Sequence, residues 1–371
     1  MNHYKKVAQR LLNHADIAID GSRPWDMQVH NEELYRRVLS DGSLGLGESY
    51  MDGWWDCKRL DEFFYRAIKA DLESKIKTDI RTILNLIIAK TFNLQSKSRA
   101  FLIGERHYDI GNDLFRAMLD KRMTYSCGYW KNAKNLDDAQ EAKLDLVCKK
   151  TGLKPGMKVL DIGCGWGSLA KFAAERYGVE VVGITVSKEQ VKLGRELCKG
   201  LPVELRLQDY RDVGGKFDAV ISIGMFEHVS YKNYRTFMET IHRCLKDDGI
   251  FLLHTIGNNK SKVNADPWIN KYIFPLGMTP SIAQIGAAAE NLYVIEDIHN
   301  FGPDYEKTLM SWYQNFQKSW PLLRDKYDNR FKRMWDYYLL ACAGNYRARG
   351  SQLWQIVMTK PGREQPKCRI G

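Results

Sequence analysis

Beyond about Lys150, apolar residues gather in short runs separated by stretches of helical periodicity. Met157 to Ile162, Val179 to Thr185, Val203 to Leu207, Phe217 to Ile223 and Gly249 to His254 each read as a buried strand. Between them, Ser168 to Tyr177, Ser187 to Cys198 and Tyr231 to Leu245 read as helices. This alternation predicts a doubly wound parallel α/β sheet. The chain before about Asn93 is patterned differently, as short helices and loops, and predicts a smaller, mixed but mainly helical N-terminal domain. Met1 to Asp20 there reads as an amphipathic helix, and the glycine-rich stretch Gly42 to Gly53 as turns.

Ile76, Ile80, Ile83, Leu84, Ile87 and Ile88 recur at helical spacing. Lys75, Lys77, Arg81, Lys90, Lys97, Arg99 and Arg106 surround and follow that stripe. A basic helix and linker of this kind suits anionic lipid, although a packed helix with a solvated basic face shows the same pattern. The organisation expected is an N-terminal domain over 1–93, a basic linker over 94–106 and a larger α/β domain over 107–371.

Composition narrows the picture only in part. The 371 residues are 44% hydrophobic and 12% aromatic, enough for substantial cores, and carry a net charge of +11. That charge calls for an anionic partner without choosing between nucleic acid, a bilayer surface and acidic metabolites. The eight cysteines are scattered with no CxxC, which favours reduced thiols in a cytoplasmic protein and argues against a zinc site. No run reaches the roughly 20 apolar residues of a membrane span, so membrane contact is expected to be peripheral.

The candidate chemistry begins between the first strand and the first helix of the α/β part. Asp161, Gly163, Gly165 and Gly167 stand in the turn, where glycines let the backbone bend sharply toward a ligand. Placed after an apolar strand, this G-x-G-x-G loop resembles the S-adenosylmethionine loop of class I methyltransferases. The second strand ends without the carboxylate that such enzymes use to hold ribose, and Thr185 and Gln190 offer a hydroxyl and an amide instead. Asp209, after the third strand, is placed to meet the adenine amino group.

Further segments give the resemblance a family. His107 to Phe115, Tyr125 to Trp130, Leu160 to Gly167, Gly224 to Val229 and His254 to Gly257 are similar to the signature of the cyclopropane fatty acid synthases. Gly42 to Trp55, Asp266 to Phe274 and His299 to Gly302 resemble the longer, phospholipid-acting bacterial members. The resemblance implies methylene transfer from S-adenosylmethionine to a cis double bond of an unsaturated acyl chain in membrane phospholipid. The alkene would attack the sulfonium methyl, and proton loss from the resulting carbocation would close the ring. It also implies that bicarbonate is the base, cradled by Cys127, Glu227, His254, Tyr305 and the backbone of Ile256, with Tyr125 and Ser126 against the methionine part of the cofactor. Cys342 resembles a cysteine near the pocket, where packing suits a thiol better than catalysis does. His228 reads as a structural hydrogen-bonder. Trp268, Tyr272, Phe274, Phe301 and Trp312 form a group that would line the acyl channel, or simply the core. A homodimer, peripheral on the inner face of the cytoplasmic membrane, follows from the resemblance alone. No nucleic-acid module is recognisable, and Met225 to His228 stand where amino methyltransferases of bases resemble one another in an Asn/Asp-Pro-Pro-aromatic motif.

Overall fold

The computed structural model describes residues 3–75 and 111–370. The isoleucine stripe after Lys75, the basic linker and the segment from His107 to Ile110 lie outside the described residues. The predicted α/β sheet is present. Strands β3 (Lys158–Ile162), β4 (Glu180–Thr185), β5 (Val203–Leu207), β6 (Phe217–Ile223) and β7 (Leu245–Asn258) run parallel in the order β5-β4-β3-β6-β7. The order reverses after β3, which opens a crevice at the carboxyl ends of β3 and β6.

The sheet is not wholly parallel. β9 (Ser351–Thr359) inserts antiparallel between β7 and the edge strand β8 (Val294–Asn300). β7 also runs beyond its predicted end, so that His254 lies inside the strand, level with Ile223 of β6 and Gln355 of β9. Every residue of β9 after Ser351 is buried, so the strand shows the continuous apolar character of a covered sheet rather than alternation.

The predicted first helix is α1 (His3–Asn13). Gly42 to Met51, read as turns, is helical instead, in α2 (Glu33–Met51), which bends at Gly42 (φ 58°, ψ −130°). Packing explains the glycines. A Cβ on Gly47 would collide with the indole of Trp268, so the helix needs a bare face there rather than a turn. Close contact has overridden low helix propensity. The strands β1 (Gln28–Val29) and β2 (Trp55–Asp56) form a small antiparallel ladder beside it. Helix α3 (Leu60–Lys69) follows, and Leu60, Phe63 and Trp55 join one continuous core with Trp268, Tyr305, Trp312 and Trp335. That core is aromatic, whereas the two clusters flanking the sheet are built largely of Val, Ile, Leu and Ala.

Candidate active site

The helix α4 (Leu136–Lys150) starts with Asn135, whose side chain accepts from the Asp138 N–H, and its buried face carries Ala139, Gln140 and Lys143. That face holds the preceding loop. Gln140 Nε2 donates to the Ser126 carbonyl at 2.7 Å, and Lys143 Nζ donates to Ser126 Oγ at 2.8 Å. The Tyr129 N–H donates to the Ala139 carbonyl at 2.9 Å. Tyr125, Ser126 and Cys127 are thereby fixed over the carboxyl ends of the strands.

A cavity of about 150 Å³ opens beneath this loop. Tyr125, Ser126, Asp161, Gly163, Gly165, Thr185, Gln190 and Asp209 all line it. Gly167 does not. It begins helix α5 (Ser168–Tyr177) at φ 84°, where a Cβ would meet Cys198 Sγ at 2.9 Å and Leu205 of β5 at 3.2 Å, so a bare glycine there lets that helix start pack close to both. Gly163, at φ 81°, faces Met225, and any Cβ there would come within 2.5 Å of it.

The polar groups of the cavity differ in how they are satisfied. Thr185 Oγ1 donates to Gln190 Oε1 at 2.7 Å, which leaves the amide –NH2 of Gln190 for a ligand. Asp209 is clasped by Arg211 through two bonds of 2.8 Å. Asp161 is buried with Oδ2 unpartnered, and burial pushes its pKa up to about 7 although Lys143 pulls the other way. An orphaned buried carboxylate oxygen beside a bare glycine turn fits a ligand with hydrogen-bond donors.

The remaining predicted residues form a second cluster, of buried and half-buried side chains, that does not line the cavity. Glu227 stands in the first of two 3₁₀ turns after β6, and its Oε1 accepts from the Ile256 N–H at 2.6 Å. Its Oε2 is buried without a partner, and burial raises its pKa to about 7. His254 is buried against the ring of Phe301 at 5.8 Å. Its Nδ1 lies 3.4 Å from Gln355 Nε2, its Nε2 has no partner, and burial depresses its pKa well below the ordinary range. The imidazole is therefore neutral.

Cys127 is fully buried and donates to the Gly128 carbonyl. Burial keeps the thiol protonated by raising its pKa well above 9. Tyr305, in helix α6 (Pro303–Leu323), packs on Tyr346 at 4.6 Å, and burial raises the pKa of its hydroxyl. Cys342, in helix α7 (Asn329–Arg347), is half-buried with a pKa pushed up to about 12 by burial, so it is no base at neutral pH.

The aromatic group lies around both regions. Tyr125 packs against Trp312 at 5.2 Å and Phe274 at 6.5 Å, and its hydroxyl is 2.9 Å from that of Tyr338. Trp268 and Tyr272 pair at 5.6 Å. His228 lines the cavity and stacks obliquely on Phe274.

Sequence reasoning missed Gln140, Lys143, Thr308 and Gln355. Thr308 Oγ1 accepts from Gly128 N at 3.1 Å and from Trp130 Nε1 at 2.9 Å, pinning the loop from the opposite side. The i, i+3 spacing of Gln140 and Lys143 was the one available signal, and it gains meaning only from the loop it faces.

Comparison with known proteins gives the chain a family. The mycolic acid cyclopropane synthetase family matches residues 95–356. The chain is 55% identical over 359 residues to the cyclopropane-fatty-acyl-phospholipid synthase of Escherichia coli K12, covering 97% of this chain and 94% of that one. It is 31% identical to the tuberculostearic acid methyltransferase UfaA1 of Mycobacterium tuberculosis, over 90% of this chain and 83% of the relative. Among solved structures, the mycolic acid cyclopropane synthase CmaA1 complexed with SAH and CTAB superposes with a TM-score of 0.66 at 33% identity, covering 70% of this chain and 98% of that one. The cyclopropane synthase MmaA2 of M. tuberculosis gives the same TM-score at 29% identity, over 72% and 100%. The chain therefore belongs to the mycolic acid cyclopropane synthetase family and has the class I fold of S-adenosylmethionine-dependent methyltransferases.

Proposed function

We propose that this enzyme transfers a methylene group from S-adenosylmethionine to the cis double bond of an unsaturated acyl chain in membrane phospholipid, forming a cyclopropane ring. The observation that carries this reading is the 55% identity to the E. coli synthase over 97% of the chain, joined to an open cavity into which Asp161, Thr185, Gln190 and Asp209 bring polar groups.

Thr185, Gln190, Asp209, Asp161 and the Gly163–Gly165 turn would hold the cofactor, with Tyr125 and Ser126 at its methionine part. Bound there, S-adenosylmethionine supplies an electrophilic methyl group. Tyr125, Tyr305, Trp312 and Phe274 keep water from the reacting carbons, and their ring faces stabilise positive charge on the acyl chain.

Glu227, His254, Cys127, Tyr305 and the backbone of Ile256 would hold bicarbonate, whose chemistry is that of a base. Two orphaned atoms support that assignment. Glu227 Oε2 can accept the hydrogen of such an anion, and a neutral His254 can donate from Nε2. Cys342 packs beside the site rather than entering the reaction.

Residues 1–93 are assigned to lipid association, 94–106 to a basic linker and 107–371 to catalysis. No described helix is long and apolar enough to cross a membrane, and the reading places a homodimer peripherally on the inner face of the cytoplasmic membrane. Labelled cofactor and unsaturated phospholipid vesicles test the function by lipid mass analysis. A ring-containing acyl product is expected. A saturated methyl branch, the product of a carbon-methylating enzyme, or the absence of any labelled lipid would overturn it.

A further inference from the structure

Lys143 is a cation in an unusual place. It is wholly buried, it lines the cavity, and among the described residues its ammonium donates to the hydroxyl of Ser126. An ammonium has three donors, and burying one is costly unless charge or further acceptors compensate. Among the described residues no carboxylate lies within ion-pair distance of it, although Asp120 and Asp161 act on it from farther away. Asp120 is itself engaged by the N–H groups of Arg122 and Thr124. Burial lowers the pKa of Lys143 to about 8, which leaves the ammonium form dominant at neutral pH.

The cavity has two distinguishable ends. Thr185 and Asp209 stand at the tips of β4 and β5, whereas Ser126 lies beside Gly224 at the tip of β6, with its Cβ 3.9 Å from a Cβ built there. The strand order places these ends on opposite sides of β3. At the first end the cation Arg211 is already neutralised by Asp209. At the other end, Lys143 is a lining cation with no direct ion pair among the described residues. Because Ser126 Oγ accepts from the ammonium, the hydroxyl proton is left to point at a ligand.

We propose that Lys143 is a positioning residue for the carboxylate of the cofactor's amino-acid portion, acting through the Ser126 hydroxyl. The charge polarises that hydroxyl as a donor and offsets the burial of a carboxylate in the same end of the cavity. Gln140, one helical turn away, fixes the Ser126 backbone so that the hydroxyl stays aimed. This rests on the cofactor reading of the cavity.

The test uses two nucleosides that share the adenosine part. S-adenosylhomocysteine carries the carboxylate, and methylthioadenosine lacks the whole amino-acid end. Binding of each to the full chain is measured by calorimetry, without turnover. In Lys143→Met, affinity for S-adenosylhomocysteine should fall on the order of tenfold to a hundredfold, as loss of a charge-assisted bond predicts. Affinity for methylthioadenosine should stay within about twofold, and Lys143→Arg should restore part of the preference. Equal weakening of both ligands, as loop collapse would give, or an undiminished preference overturns the proposal. If Lys143→Met does not fold, Ser126→Ala decides in the same way, since it removes the hydroxyl and keeps the cation. Failure of the wild type to bind either nucleoside would instead overturn the cofactor reading, and the proposal with it.

Discussion

The cofactor cavity and the cluster behind it share the Tyr125–Cys127 loop but differ in design. The cavity is open, and in it Thr185 is paired with Gln190, Asp209 with Arg211 and Ser126 with Lys143, while Asp161 Oδ2 is left without a partner. The cluster does not line the cavity, and Glu227 Oε2 and His254 Nε2 are left unpartnered inside it. Paired groups give a cavity that keeps its shape and admits a large polar molecule. Orphaned buried groups raise the energy of the empty state, and are retained where a small ligand completes them. On the function proposed above, cofactor binding belongs to the first region and proton chemistry to the second.

Removing a charge from the second cluster should have the largest effect. Glu227→Gln is expected to lower kcat at least about a hundredfold, as loss of a preorganised electrostatic group does, while leaving the Kd for S-adenosylhomocysteine within about twofold. Steady-state turnover and calorimetry on the same preparation would check it. Near wild-type turnover would erase the distinction between the regions.

Each region holds one carboxyl group, Glu227 or Asp161, whose burial raises its pKa to about 7. A raised folded-state pKa contributes stability below the unfolded value and loses it as pH climbs through 7. Apoprotein stability should therefore decline between about pH 4 and pH 7, by on the order of 3 kcal/mol for each group. Glu227→Gln or Asp161→Asn should flatten its share of that slope. Denaturant unfolding across the range measures it, and an unchanged slope would contradict the burial account.

The loop joining the regions is the next point to break. Thr308→Val strands the Gly128 N–H and the Trp130 indole N–H, and should cost about 1–3 kcal/mol of stability. Equilibrium unfolding reads this directly. The smallest effect is expected at Cys342, where Ala should change kcat by no more than about threefold, well under 1 kcal/mol of barrier. A much larger loss would move that thiol from packing into the reaction.

The parallel strands were legible because each is an apolar run bounded by turn residues, and the glycine loop because it sits at a strand end. The edge strand β8 was not, since most of its residues are exposed or half-exposed and show no clean alternation. Gly42 to Met51 misled because its glycines serve a helix contact with Trp268, a tertiary cause that a local pattern does not carry. Asp161, Gly163, Thr185 and Gln190, which line the cavity, were singled out by the resemblance of the strand-end loop to class I methyltransferases and by the missing carboxylate after the second strand. Cys127, Tyr305 and Ile256 came only from the family resemblance, because residues so distant in sequence meet through helix packing. Lys143 belonged to an ordinary amphipathic helix until the loop above it was visible.

The central claim, that an anion held by the second cluster acts as base apart from cofactor binding, is tested most directly by bicarbonate titration. The account predicts that turnover falls in carbonate-free buffer and recovers in a saturable manner as bicarbonate is restored, while the Kd for S-adenosylhomocysteine does not change. A rate independent of bicarbonate across that titration would contradict it.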